Sequence, residues 1–173
     1  AALARMHDAQ SHRGPDSEGS WSSPRPDRDG RGCMLAHRRL ATLDLTDNAA
    51  QPMADPRSGQ VLACDGFICN YRKLRDDLVF SGETFASSGD AAVMLRALAV
   101  HGSDAVQSFQ GMFAFALWNE STRKLLLARD PQGIKPLYIV RNPHSGGDWS
   151  LIFASELRAI LASGLLDQPR LNP

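Results

Sequence analysis

Val61–Tyr71 reads VLACDGFICNY, and the rest of the chain is organised around it. Val61, Leu62 and Ala63 form a short apolar run after Gly59, the mark of a buried strand. Asp65-Gly66 is expected to break that strand, because a glycine permits a tight turn that β-branched residues do not tolerate. Asn70 is a candidate N-cap for a short helix carrying Tyr71, Leu74 and Leu78 on one face. A strand ending in a glycine turn exposes backbone N–H groups that need partners. Such groups can bind the oxyanion of an acyl-transfer transition state. The plainer alternative is a tight strand-to-helix connection with no further role.

The chain has 173 residues, enough for one domain with a full hydrophobic core. Lysine and arginine total 19, as do aspartate and glutamate, so the formal net charge is zero. That balance leaves no electrostatic footprint for nucleic acid or an anionic membrane surface. No apolar run approaches the length of a membrane span, and the first residues read as an amphipathic helix rather than a signal peptide. Cys33, Cys64 and Cys69 are odd in number and lack CxxC spacing, which argues against a disulfide framework or a zinc knuckle and for a reducing cytoplasm. The histidines are scattered without an HExxH pattern, so no metal site is expected.

Ala1–Gln10 reads as part of a helix, Ser11–Asp16 as a turn, and Glu18–Gly32 as a surface loop rich in Pro, Gly, Asp and Arg. Cys33–Asp44, CMLAHRRLATLD, is strand-like. Neighbours on a strand point to opposite faces, so one of Arg38 and Arg39 must face inward or into a cleft. A half-buried arginine needs an anion, either a ligand carboxylate or a structural aspartate. Thr46–Gly59 reads as a loop fixed by Pro52 and Pro56, and Ser81–Ser88 as another anchored by Phe85. Asp90–Val100 is a helix with Ala91, Met94, Leu95 and Leu98 on one stripe. Asp90 at its N-terminus is either a cap or an ionised acceptor for an ammonium group. Ser103–Phe109 is a short helix. Met112–Trp118 and Lys124–Ala128 are strands, and Leu137–Val140 pairs with Trp149–Ala154 through a turn at Gly146-Gly147. Glu156–Ala162 is a final helix closed by Gly164. Strands joined by short turns, with helices in separate blocks, give an α+β class with sheet packed on sheet.

HRGPDSEG, HRRLATLD, QPM, the DG turn followed by NYRKLR, GMFAFALW, ARDPQGIKPLY and FASELRAIL occur in that order. Each motif is weak alone, but their order and spacing are specific, and together they resemble the class II (N-terminal nucleophile) glutamine amidotransferase domain of the asparagine synthetase family. The resemblance covers essentially the whole chain and implies a four-layer αββα sandwich. It also implies a first strand, bearing the nucleophilic cysteine, ahead of Ala1 and absent from these 173 residues. In that family the cysteine attacks the side-chain amide of glutamine and its own α-amino group serves as the base. The resulting ammonia passes to a synthetase domain that uses ATP and magnesium. No cofactor is implied for the amidotransferase domain itself. The domain is expected to span 1–173, with 165–173 beginning a linker to a synthetase domain in the same or an associated chain; a homodimer fits the resemblance.

Carried over by position, the resemblance places Arg39 on the α-carboxylate of glutamine, Leu40, Ala41, Thr42 and Leu43 along the pocket, Asp90 on the α-ammonium, and Asp65 and Gly66 at the oxyanion hole. Two positions depart from the family's Asn-Gly-Glu pattern. Asp65 stands where an asparagine would donate a hydrogen bond, and an ionised aspartate only accepts. Phe67 stands where a glutamate would help hold the ammonium. With no N-terminal cysteine and these two replacements, the 173 residues by themselves are expected not to hydrolyse glutamine. The alternative is a non-hydrolytic scaffold beside a specialised amide-forming synthetase, resembling β-lactam synthetases or lasso-peptide cyclases.

Overall fold

A computed structural model describes residues 1–24, 26–27, 32–41, 44–142 and 148–166. The elements in chain order are α1 (Ala2–Asp8), β1 (Ser17–Ser22), β2 (Met34–Arg39), β3 (Met53–Asp55), β4 (Gln60–Ile68), α2 (Tyr71–Phe80), α3 (Asp90–His101), β5 (Gly111–Asn119), β6 (Lys124–Arg129), β7 (Tyr138–Arg141), β8 (Leu151–Ala154) and α4 (Leu157–Ala162). A 3-10 segment at Gly102–Ser108 takes the place of the expected short helix. All strand pairing is antiparallel, in sheets ordered β1-β2, β3-β4-β5-β6 and β7-β8.

The layering follows from strand alternation. On β4 and β5, Leu62, Cys64, Ile68, Phe113, Phe115 and Leu117 turn to one face and bury against Val93, Met94 and Leu98 of α3 and Leu78 of α2. The intervening Val61, Ala116 and Trp118 turn to the other face, where Leu35 of β2 and Cys33 cover them, with Trp21 and Phe153 alongside. Phe153 alternates with Ile152 and Ala154, which pack against Met6 of α1 and Ala159 and Ile160 of α4. The order is therefore helix, sheet, sheet, helix, the expected αββα sandwich. Most of β5 is buried on both faces, so it reads as a nearly continuous apolar run. Each large side chain sealed there, such as Leu98 or Phe113, contributes roughly 1.5–3 kcal/mol relative to exposure.

Several expectations need correction. The strand does not break at Asp65-Gly66 but runs on to Ile68, with Gly66 opposite Phe113 and Ile68 opposite Gly111. Gly66 has φ +136°, and a Cβ there would collide with the backbone of Met112 and Phe113. The glycine thus answers a close approach of β5, not a turn. Asn70 stands at the start of α2 without capping it: its amide instead accepts from Gln110 N (3.1 Å) and donates to Ser108 O (2.8 Å). Ser17–Ser22, which overlaps the surface loop expected over Glu18–Gly32, is a strand whose pairing with β2 outweighs its polar composition. The expected loop Thr46–Gly59 contains β3, held against β4 by the pair Met53–Leu62. The strand expected over Cys33–Asp44 ends at Arg39; the other helices and strands fall within a few residues of expectation, and Gly164 follows α4 with φ +67°. The turn at Gly146-Gly147 and nearly all of the linker expected over 165–173 lie outside the described residues.

Candidate functional site

A cavity of about 1140 Å³ opens between the two sheet layers. Every residue of β2 and every residue of β8 lines it, together with Asp65, Gly66 and Phe67 of β4. Arg39, Leu40 and Asp90 line the same cavity, which brings together residues far apart in sequence. Ala41 is turned to another task, its N–H donating to Asp16 Oδ2 at 2.7 Å. Thr42 and Leu43 lie outside the described residues.

The two neighbouring arginines divide their work. Arg38 forms the structural bridges, to Asp8 at 3.3 Å and to Glu18. Arg39 donates to main-chain carbonyls, those of Asp44 and, at 3.3 Å, Thr46. No carboxylate among the described residues bridges Arg39, which leaves its charge uncompensated at the cavity wall.

Asp90 is the first residue of α3, and Gly89 occupies the cap position. Its Oδ2 accepts from Ile68 N at 3.0 Å. Burial pushes the carboxyl above the ordinary aspartate range despite that hydrogen bond and those from the helix N-terminus. No cationic side chain among the described residues bridges Asp90. A half-buried carboxylate raised in this way gains stability from an incoming cation.

β3 is short, so beyond Leu62 the outer edge of β4 has no strand partner. Cys64 N donates to Gln51 Oε1 at 2.6 Å and Ile68 N to Asp90 Oδ2. Gly66 lies between them, and by strand alternation its N–H is directed to the same edge, where the cavity opens.

Asp65 is not the bare anion its position suggested. Arg13 Nη2 lies 2.5 Å from Oδ2 and Lys135 Nζ 3.1 Å from Oδ1. Burial raises its carboxyl, but the hydrogen bonds and charges of Arg13 and Lys135 outweigh that and leave it below the ordinary range. Asp130, buried in the RDPQGIKP loop, fixes Lys135 by accepting from Ile134 N (2.9 Å) and Lys135 N (3.0 Å). Arg13 in turn reaches Glu156 at 3.2 Å, and Glu156 also bridges His12 and Arg158. Glu156 is held at about 2: burial acts upward, and the donors on His12, Arg13 and Arg158 overcome it. Arg13 and Lys135 stand in the HRGPD and ARDPQGIKP motifs, yet neither received a role from sequence. Charged residues in glycine- and proline-bearing loops were the available signal, but their shared partner is remote in sequence.

Phe67 faces the cavity and makes an edge contact with Tyr71, ring centroids 6.3 Å apart. Cys64 is sealed in the core with Met94 Sδ at 3.7 Å, and burial pushes both its thiol and that of Cys33 up, the latter to about 12. Neither has the properties of a nucleophile. Cys69 is exposed.

The description "glutamine amidotransferase domain" matches residues 1–171. The chain belongs to that family. It is 33% identical over 162 residues to an asparagine synthetase (glutamine-hydrolysing) of Bacillus subtilis, covering 92% of this chain and 24% of that protein. An asparagine synthetase (glutamine-hydrolysing) of Arabidopsis thaliana is 36% identical over 149 residues, covering 86% of this chain and 23% of that one. A solved structure of the glutamine phosphoribosylpyrophosphate amidotransferase of B. subtilis superposes with TM-score 0.62 at 27% identity, over 78% of this chain and 30% of that one. The chain thus spans about a quarter of the length of the curated relatives it matches. Among the described residues no helix is long and apolar enough to cross a membrane.

Proposed function

We propose that this domain supplies nitrogen from glutamine to an ATP-dependent, asparagine synthetase-like amide-forming enzyme of the cytoplasm. The observation that supports it most is that Arg39, Gly66 and Asp90 border one cavity, with no ion pair to Arg39 or Asp90 among the described residues. In this reading Arg39 pairs with the α-carboxylate of glutamine through its planar fork, and Asp90 receives the α-ammonium. The Gly66 N–H donates to the carbonyl oxygen as it becomes an oxyanion. The nucleophile is an N-terminal cysteine on a strand ahead of Ala1. The cavity between β2 and β8 is consistent with such a strand. Thiolate attack forms an acyl-enzyme and releases ammonia, and water then frees glutamate. ATP and magnesium belong to the synthetase domain, reached through a linker that begins near residue 165; the amidotransferase domain needs no cofactor.

The test is ammonia release from L-glutamine by the natural protein and by Arg39→Ala and Asp90→Asn. Each substitution removes one half of a charge pair and is expected to lower kcat/KM by about 10²-fold. Hydrolysis indifferent to both overturns the site. Asp65, tethered by Arg13 and Lys135 next to Gly66, favours a second reading, a non-hydrolytic scaffold beside a β-lactam synthetase-like or lasso-peptide cyclase-like domain. Glutamine binding without ammonia release selects it.

A further inference from the structure

We propose that Asp44 is a positioning residue that sets the spacing between Arg39 and Asp90, and so tunes the cavity to the paired carboxylate and ammonium of one α-amino acid. The inference rests on the glutamine-binding reading above.

Asp44 is a buried acid, 7% exposed, that no cationic side chain among the described residues bridges. Its Oδ1 accepts from Thr46 N at 2.9 Å and Thr46 Oγ1 at 2.6 Å. Its Oδ2 accepts from Ser87 Oγ at 2.8 Å, Ser88 N at 2.9 Å and Ser88 Oγ at 3.1 Å. One carboxylate therefore ties the 44–46 turn to the 87–88 segment. Those hydrogen bonds, led by the Thr46 hydroxyl, hold it far below the ordinary carboxylate range.

Each tied segment carries one half of the candidate amino-acid grip. The carbonyls of Asp44 and Thr46 receive the Arg39 guanidinium. Ser87, itself buried, accepts from Gly89 N at 3.0 Å, and Gly89 leads directly into Asp90 at the start of α3. The path from guanidinium to carboxylate thus runs through Asp44. An α-amino acid holds its ammonium and carboxylate on a single carbon, so the two protein groups must keep one separation for both contacts to form together. If the segments drift, either contact survives alone, and what is lost is the advantage of making both at once.

That distinction gives a test a merely structural role would not pass. The ligands are L-glutamate, which has both groups and is not consumed, glutarate, which lacks the ammonium, and 4-aminobutyrate, which lacks the α-carboxylate. Affinities are measured by NMR titration of the natural protein, Asp44→Asn and the milder Thr46→Val. Asparagine accepts through one oxygen only, so on its amide side the backbone N–H of Thr46 or Ser88 loses its acceptor and that segment is tied less tightly. The expected result is a loss of about tenfold in glutamate affinity for Asp44→Asn and about threefold for Thr46→Val, with glutarate and 4-aminobutyrate changed less than about twofold. A parallel loss for all three ligands, or no loss for glutamate, overturns the proposal. If Asp44→Asn does not fold, Thr46→Val alone decides by the same criterion. A natural protein that binds glutamate no better than the single-group ligands overturns the amino-acid reading itself, and the role of Asp44 with it.

Discussion

Asp65→Asn should move stability and catalysis in opposite directions. Asp65 holds Arg13 at 2.5 Å and Lys135 at 3.1 Å, and the three side chains are between 26% and 29% exposed. Exposed ion pairs contribute about 0.2–1 kcal/mol each, and breaking a fully buried one costs about 3–5 kcal/mol. Two partly covered pairs, one of whose cations keeps Glu156, place the loss at about 1–3 kcal/mol at neutral pH. The pH dependence has a definite sign. The folded carboxyl lies below its unfolded value, so its contribution is complete above the unfolded aspartate range of about 3.9 and fades as pH falls through the lower folded value. Denaturant unfolding of both proteins between about pH 7 and pH 2 should therefore show a gap that closes in acid. The same substitution restores a donor beside Gly66, so kcat for ammonia release should rise where the nucleophile is present. A stability gap constant across pH, or no gap, would refute the ion-pair account; a fall in kcat would refute the oxyanion placement.

Gly66→Ala forces a Cβ into the backbone of Met112 and Phe113 at φ +136°, and should cost about 2–5 kcal/mol by urea denaturation. Glu156→Gln weakens the contacts to His12, Arg13 and Arg158; the loss, about 1–2 kcal/mol after allowing for solvent screening, should be complete above about pH 4.3 and shrink as pH approaches 2, read by the same unfolding series. Phe67→Glu adds a carboxylate to the cavity wall and should lower KM for glutamine with little change in kcat, because an ammonium contact is equally present in ground and transition states.

What the sequence disclosed was whatever a local pattern encodes. The stripe Ala91, Met94, Leu95 and Leu98 marks α3, and the apolar run Met112–Trp118 marks the central strand β5. SEGSWS hides β1, because its pairing energy resides in β2 and not in its own side chains. Gly66 was legible as a special position and misread as a turn, since a glycine required by a neighbouring strand and one required by a bend look the same in one dimension. Strand alternation narrowed the cleft arginine to Arg38 or Arg39 and helix position marked Asp90 as a cap or an acceptor, and only the family resemblance singled out Arg39. The neutralisation of Asp65 was not legible, because Arg13 and Lys135 reach it from opposite ends of the chain.

The shortness of β3 connects these findings. Three residues pair with Gln60–Leu62, and a longer β3 would close the edge of β4 with strand hydrogen bonds. Because it stops, the N–H groups of Cys64, Gly66 and Ile68 have no strand partner, and the buried two, Cys64 and Ile68, must find other acceptors. Gln51 and Asp90 answer for the outer two. Those two acceptors also fix the edge, so the Gly66 N–H between them is held where the cavity opens. An oxyanion donor has to be fixed before the reaction and unoccupied until it, since reorganising it during the reaction would forfeit its advantage. An interrupted strand ladder, with side-chain acceptors on both sides of the gap, meets both conditions. Asp90 joins the two halves of the proposed site: one carboxylate oxygen steadies the strand edge at Ile68, and its charge faces the same cavity as Arg39.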